Sequence, residues 1–395
     1  MVDRTDDPLA WLLEESHHLP PAEVADAVGA ALHALGATSS EIYLVDYDQA
    51  SLHRFAPGVD GGESFAVDGT VGGRAFGLET TVTVPDGQGV RRWIPLLDGT
   101  ARLGVLSVDL PAEPDDRVAG LLQCVASMAA ELIVTKGQYT DEFERVKRRK
   151  SMSLEAELQR ITLPPVALAT RTVSVAGVLL PAYEVAGDSF DFSLNDDALE
   201  LAIIDSVGHD LESSLISHLV SGSLRNSRRN GAGLSEAYTL ADAAVNRIFP
   251  NFMFATAAFG SLDLASGRFR WISAGHPLPV IVRNGRVVGE AAAVPALPIG
   301  LGGAEPQVNE VVLEAGDALL LYTDGAVEGG ARGDERFGLD RLTDLLGQHL
   351  LAGLPAAETV RRLVNAVLEH SAYELRDDTT ILLVGYMGAS SAGVG

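Results

Sequence analysis

The stretch LAIIDSVGHDLESSL, Leu201 to Leu215, sets a carboxylate where an apolar strand stops and a helix begins. Leu201-Ala202-Ile203-Ile204 reads as a short buried strand that ends in Asp205. Gly208, His209 and Asp210 form a polar turn, and apolar residues then recur at helical spacing. A strand-terminal Asp is usually a turn former or a helix cap. The stretch therefore gains meaning only if other carboxylates arrive in the same way.

Three other corners repeat the arrangement. ALLLYTDG ends in Asp324, followed by Gly325. RDDTTILLVGY begins its strand just after Asp377 and Asp378. PAYEVAGDSFDF places Asp188 and Asp191 beside Gly187. A buried carboxylate is costly unless it is paired or bound to a cation. No lysine lies near these corners, and Arg376 is the arginine beside them. Clustered carboxylates repel, so a divalent cation is the economical counter-ion. Oxygen ligands without Cys or a His pair point to Mg²⁺ or Mn²⁺. The adjoining glycines would let backbone carbonyls or water come close.

The whole chain frames this reading. Its 395 residues, 47% hydrophobic, suffice for two or three domains with real cores. Aromatics are 6%, so those cores lean on Ala, Val and Leu. A net charge of −25 argues against a nucleic-acid footprint and against anionic membrane surfaces. Cys124 is the single cysteine, which excludes an intrachain disulfide and a Cys-based zinc site. The first residues lack a cationic n-region, and no run approaches the roughly 18 apolar residues of a membrane span. The expectation is a cytoplasmic protein with no membrane and no nucleic-acid partner.

Along the chain, residues 1–135 read as a small domain. A helix at 21–35 is followed by the strands EIYLVDY, TVTVP, RRWIPLL and RLGVLSVDL, and then by a helix from Asp116. A thin apolar stripe through Phe143, Val146, Leu154, Leu158 and Ile161 makes 136–165 a helical linker, ended by Pro164-Pro165. Its narrowness fits a dimerising coiled-coil seam or a solvated connector. ERVKRRK within it reads as an exposed helix face. Residues 166–387 carry many antiparallel strands, hairpin turns at ASG and Asn284-Gly285, and two pairs of helices. That pattern is a sheet sandwich flanked by helices, and 388–395 reads as a disordered tail.

The ordered series GD…FDF, IIDSVGHDLESSL, SAGHPLPVIVRNGRV, LPIGL, GDALLLYTDGAVE and RDDTTILLV resembles the SpoIIE/RsbU-type branch of the metal-dependent (type 2C) serine/threonine protein phosphatases. The resemblance covers essentially all of 166–387. It implies an α+β chain whose C-terminal domain is an α-β-β-α sandwich with two Mn²⁺ or Mg²⁺ ions at its edge. By resemblance the catalytic set is Asp188, Asp205, Asp324 and Asp377. Asp205 bridges the ions, and Ser206 offers its backbone carbonyl, so its side chain should not matter. Asp324 and Asp377 hold one ion, and Asp188 stands at the rim, as a further metal ligand or as a support to the ligands. Asp378, His209 and Gly325 support the ligands from behind. The reaction implied is attack on phosphoserine or phosphothreonine by a hydroxide bridging the two ions. The substrate implied is a STAS-type anti-anti-sigma factor in bacterial stress or developmental signalling.

The chain departs from the family at HDLESS, where Gly and then Pro-Ala-Ala are usual. Asp210 is a helix N-cap candidate there, and His209 reads as a turn residue or an assisting acid. The departure leaves open a degenerate phosphatase fold acting as a signalling scaffold, and a hydrolase of small phosphomonoesters. His276, in SAGHP, reads as structural. In the first domain, GTVGGRAFGLETTVTV, WIPLL and GVLSVDL resemble a GAF domain, which implies sensing or homodimerisation with a ligand left unknown. Cys124 is expected in its core. His17, His18, His33 and His53 read as core or surface residues rather than ligands.

Overall fold

The computed structural model describes residues 7–56, 58, 62–87, 89–184, 187–208, 210–249, 253–329, 336–375 and 377–388. The segment expected as a tail, from 389 onward, lies outside them. The chain forms two compact units, Met1–Ser151 and Met152–Gly395.

The first unit runs α1 (Pro8–Ser16), α2 (Val24–Ala34), β1 (Ser39–Val45), β2 (Ser51–Arg54), β3 (Ser64–Ala66), α3 (Val71–Leu78), β4 (Val82–Asp86), β5 (Gly89–Asp98), β6 (Ala101–Leu110), α4 (Asp116–Gly137) and α5 (Glu142–Lys147). Its strands form one antiparallel sheet in the order β3-β2-β1-β6-β5-β4. Alternation sorts the side chains to two faces. Ile42, Leu44, Ile94 and Leu106 meet α1, α2 and α4 in the main core. Tyr43, Val45, Trp93 and Val105 meet α3 in a smaller cluster on the other face. Cys124 is exposed on α4, contrary to the expectation of a core position. Among the described residues α4 is the one helix long and apolar enough to cross a membrane, which corrects the expectation that no segment comes near that limit. Its apolar stripe, Leu122, Val125, Ala129 and Ile133, is buried in the main core.

The stripe over 136–165 is not one helix. It is the end of α4, then α5, then α6 (Leu154–Thr162). Phe143 is buried in the first unit's core against Phe55, at a ring-centroid distance of 5.0 Å. Ala156 and Gln159 are buried within the second unit. Leu154 and Ile161, which the coiled-coil reading counted as seam residues, are 61% and 75% exposed. Burial of separate residues in separate cores interrupts the period that a continuous seam requires.

The second unit continues with β7 (Ala167–Ala169), β8 (Val173–Leu180), β9 (Asp188–Asn195), β10 (Ala198–Ser206), α7 (Leu211–Arg229), α8 (Leu234–Ile248), β11 (Ala255–Asp263), β12 (Arg268–Ala274), β13 (Val280–Arg283), β14 (Arg286–Glu290), β15 (Asn309–Val312), β16 (Asp317–Tyr322), α9 (Gly325–Glu328), α10 (Leu339–Leu351), α11 (Ala356–His370) and β17 (Thr379–Tyr386). Two antiparallel sheets result, β15-β12-β11-β10-β9 and β14-β13-β16-β17-β8-β7. Phe190, Ile203, Trp271, Leu319 and Leu382 fill the space between them. Ile204, Ile216, Val220, Tyr238 and Ile272 join the first sheet to α7 and α8, while α11 packs on β8 and β17. The layers are therefore helix, sheet, sheet, helix. Asn284 and Gly285 both take positive φ, 50° and 69°, as the expected hairpin between β13 and β14 demands.

Candidate active site

β10 lies inside its sheet, paired on both sides, so its apolar residues are buried and its polar end is delivered at the sheet edge. Asp205 stands opposite Asp188 in the β9–β10 register. β16 leads through Thr323 to Asp324, and β17 starts immediately after Asp377 and Asp378. Neighbouring strands of the two sheets thus bring their acidic ends to one edge.

Electrostatics show which carboxylates share that edge. The Asp205 carboxyl is pushed up to about 7, first by burial and then by the charges of Asp324, Asp377 and Asp378. Asp324 is raised by burial, by Asp377 and by Glu328. Burial, then Asp205 and Asp378, hold the Asp188 carboxyl well above the ordinary range. Neither Asp205 nor Asp324 has a cationic side-chain partner among the described residues. Among the described residues, no three Asp, Glu, His or Cys side chains stand close enough together to hold a metal ion as they are placed. The donor chemistry is nevertheless that of a hard-cation site: carboxylate oxygens only, mutually repelling and partly desolvated. Asp205, Asp324 and Asp377 fit divalent ions on this ground.

Asp188 is not at a rim. It is 2% exposed, and its Oδ2 accepts hydrogen bonds from the hydroxyls of Thr323 and Thr380, each at 2.7 Å. Thr323 Oγ1 in turn accepts from the Thr380 backbone N–H at 2.9 Å. One carboxylate oxygen therefore ties β9 to β16 and β17. Asp378 completes the tie, its Oδ2 accepting from the Gly187 N–H at 2.8 Å. A Cβ at Gly187 would lie 2.7 Å from the Ser206 carbonyl oxygen, so only glycine fits this approach. Gly325 has the same logic: a Cβ there would meet the Asp378 carbonyl oxygen at 2.0 Å. Its part is to admit the Asp378 backbone.

Ser206 departs from expectation. Its buried hydroxyl lies 2.6 Å from the Ser213 carbonyl oxygen and 3.0 Å from that of Gly187. The side chain thus fastens the end of β10 to the first turn of α7 and to the approach to β9. Asp210 is the N-cap of α7, accepting from the N–H groups of Glu212 and Ser213 at 3.1 and 3.2 Å. Ser213 Oγ closes a capping box with the Asp210 backbone. Asp-Leu-Glu-Ser therefore has a local structural reason. His209 and Arg376 lie outside the described residues.

Asp191, three residues beyond Asp188 on the other face of β9, does not join the acidic edge. It is buried and ion-paired to Arg225 at 2.8 Å and Arg228 at 3.2 Å, both on α7. Arg225 also donates to the Thr162 carbonyl oxygen at 2.6 Å. Gln159 Nε2 donates to the Asp188 carbonyl oxygen. Helix α6 is thereby bonded both to α7 and to the strand that carries Asp188. His276 is buried, its imidazole pushed down to about 3 by desolvation. Thr256, the register partner of Asp205 on β11, bonds its Nδ1 at 2.8 Å.

Sequence reasoning missed Thr323, Thr380, Gln159 and Arg225. The two threonines flank expected ligands, and that adjacency is the one signal they offered.

Residues 195–386 match the family model of stage II sporulation protein E (SpoIIE). The chain is 20% identical over 239 residues to the phosphoserine phosphatase RsbU of Bacillus subtilis, covering 60% of this chain and 70% of that protein. It is 22% identical over 248 residues to the phosphoserine phosphatase RsbP of the same organism, covering 61% and 59%. The structure of the RsbU and RsbW domains of a Mycobacterium tuberculosis protein aligns at a TM-score of 0.47 and 28% identity, covering 55% of this chain and 62% of that one. The second unit of this chain is thus similar to the phosphatase domains of RsbU and RsbP, and most of it carries the SpoIIE match.

Proposed function

We propose that the second unit hydrolyses phosphoserine or phosphothreonine on a regulatory protein of the STAS anti-anti-sigma type, in a reaction that depends on two Mn²⁺ or Mg²⁺ ions. The observation that carries the reading is that the strand ends bearing Asp205, Asp324, Asp377 and Asp378 meet at one sheet edge, with Asp205 opposite Asp188 and close enough to the others for their charges to raise its carboxyl. Asp205, Asp324 and Asp377 would hold the ions, with the Ser206 carbonyl as a neutral donor. When bound, such a pair supplies charge neutralisation for the phosphoryl oxygens and an acidified water. The chain's own part is positional. Thr323 and Thr380 hold Asp188, Asp188 aligns β9 beside Asp205, and Asp378 keeps Gly187 against that strand. The kinship to proteins named phosphoserine phosphatases supports the substrate class.

The first unit fits a GAF-like sensor that regulates this activity, and homodimerisation through this unit and the connecting segment belongs to the same reading. The test is release of phosphate from a phosphorylated STAS protein with Mn²⁺ present. Asp205→Asn and Asp324→Asn should each lose at least about a hundredfold in rate, on the scale of losing a principal electrostatic group. Full activity in either variant sinks the assignment. Preference for small phosphomonoesters over the phosphoprotein would overturn the substrate.

A further inference from the structure

At the acidic edge, the space between the two sheets of the second unit ends in a polar row. Phe190, Ile203, Ala258, Leu321 and Leu382 lie in the core between the sheets. Strand alternation puts Asp188, Asp205, Thr256, Thr323 and Thr380, each two residues along its own strand, on that same side. Register sets Asp188 and Thr256 directly opposite Asp205, one on each flank. No hydrogen bond or ion pair holds the Asp205 side chain among the described residues. Its place therefore depends on the end of β10 and on these two neighbours.

Asp188 is clamped from the second sheet by Thr323 and Thr380. The other flank has a clamp of its own. The Thr256 hydroxyl and His276 Nδ1 bond at 2.8 Å. His276 is 5% exposed and lies between β12 and β13, on the connection that passes from one sheet to the other. The Ser273 hydroxyl donates to the His276 carbonyl oxygen at 3.1 Å, and Gly275 bridges to Ala257, so the ring is carried on a fixed backbone. Burial pushes the imidazole down to about 3, against a hydrogen-bonding pull from the Tyr322 backbone, and the ring is neutral. Tyr322 ends β16, two residues before Asp324. The ring thus faces both the strand beside Asp205 and the strand that leads to Asp324. Its Nε2 has no partner of ordinary hydrogen-bond geometry among the described residues, so Thr256 is the side chain through which it acts.

We propose that His276 is a positioning residue for the acidic edge: through the Thr256 hydroxyl it fixes the end of β11 against β10, and so fixes where Asp205 presents its carboxylate to a divalent ion. The inference rests on the two-ion reading of this edge. It adds that metal affinity depends on a residue that is not itself a ligand.

Calorimetric titration of Mn²⁺ into the full chain tests this. Thr256→Val keeps the β-branched shape, removes the hydroxyl and should weaken Mn²⁺ binding about tenfold, as loss of a partner behind a metal ligand does. Thr256→Ser keeps the hydroxyl and should bind as the unaltered chain does. His276→Ala should match Thr256→Val, and the double variant should be no weaker than either, because both changes break one bond. The two Thr256 variants decide the matter even if His276→Ala does not fold. Thermal melting shows which variants are folded; a merely structural role lowers the melting temperature and leaves the affinity of the folded protein where it was. Unchanged Mn²⁺ affinity in folded Thr256→Val, or an equal loss in Thr256→Ser, overturns the inference alone. An unaltered chain that binds no Mn²⁺ overturns the two-ion reading, and the inference with it.

Discussion

At the scale of single residues, the decisive fact is that one carboxylate oxygen of Asp188 accepts two threonine hydroxyls from two other strands. Thr380→Val removes one of them and leaves a buried carboxylate under-bonded, at a cost of about 1–3 kcal/mol. Thr323→Val should do the same. Because both act on one atom, the double variant should not be the sum of the singles. Urea unfolding of the four proteins measures this, and strict additivity would contradict the shared-atom arrangement. Ser206→Ala should cost about 1 kcal/mol and reduce phosphatase rate. A silent Ser206→Ala would restore the view that only the backbone matters there.

The acidic edge also sets a pH dependence. Burial and the neighbouring carboxylates push the Asp205 carboxyl up to about 7, above its ordinary value of 3.8. A raised carboxyl adds stability that is fully present below the unfolded value and is lost as pH rises through the folded one. With divalent ions chelated, stability should therefore fall between about pH 4 and pH 7, with an upper bound of about 4 kcal/mol from Asp205. Asp188 and Asp324, also raised, act in the same direction. Mn²⁺ should reverse the loss most strongly at the high-pH end, where protons no longer compete for the carboxylates. Melting curves from pH 4 to 8, with and without Mn²⁺ and in Asp205→Asn, test the sign.

At the scale of elements, α7 and α6 explain features that motif reading left open. Within the unusual segment, Asp210 and Ser213 build the N-terminal cap of α7. Asp210→Ala should cost about 1 kcal/mol of stability and lower phosphatase rate less than tenfold. A loss comparable to that of Asp205→Asn would return Asp210 to the chemistry. β9 escaped the sequence reading as a strand because its start coincides with a Gly-Asp corner that looks like a loop. Its alternating Phe190 and Phe192 were the available clue. Docking of α6 was equally hidden: Gln159 and Thr162 make their bonds to residues 29 and 63 positions away, and helical periodicity carries no record of such partners.

At the scale of the whole molecule, the chain divides into two compact units after Ser151, each with its own core. Residues 152–395 alone should therefore fold cooperatively and retain the second unit's chemistry. Phosphate release by this fragment, set against the full chain, reads the first unit's influence directly. A fragment that unfolds without cooperativity would show that the second unit depends on the first.

The apolar runs ending in Asp205 and Asp324, and beginning after Asp377, let a sheet sandwich and a set of strand-end carboxylates be read from the sequence; their meeting at one edge was implied by the resemblance. Strand period and strand-end chemistry are local properties, written within ten residues of chain. Tertiary structure decided the rest. It buried Asp188 beneath threonines 135 and 192 positions away and paired Asp191 with α7. It also turned Cys124 outward and divided a continuous apolar stripe between two cores. Burial and cross-element hydrogen bonds depend on which distant segments pack together, and local period does not encode that choice.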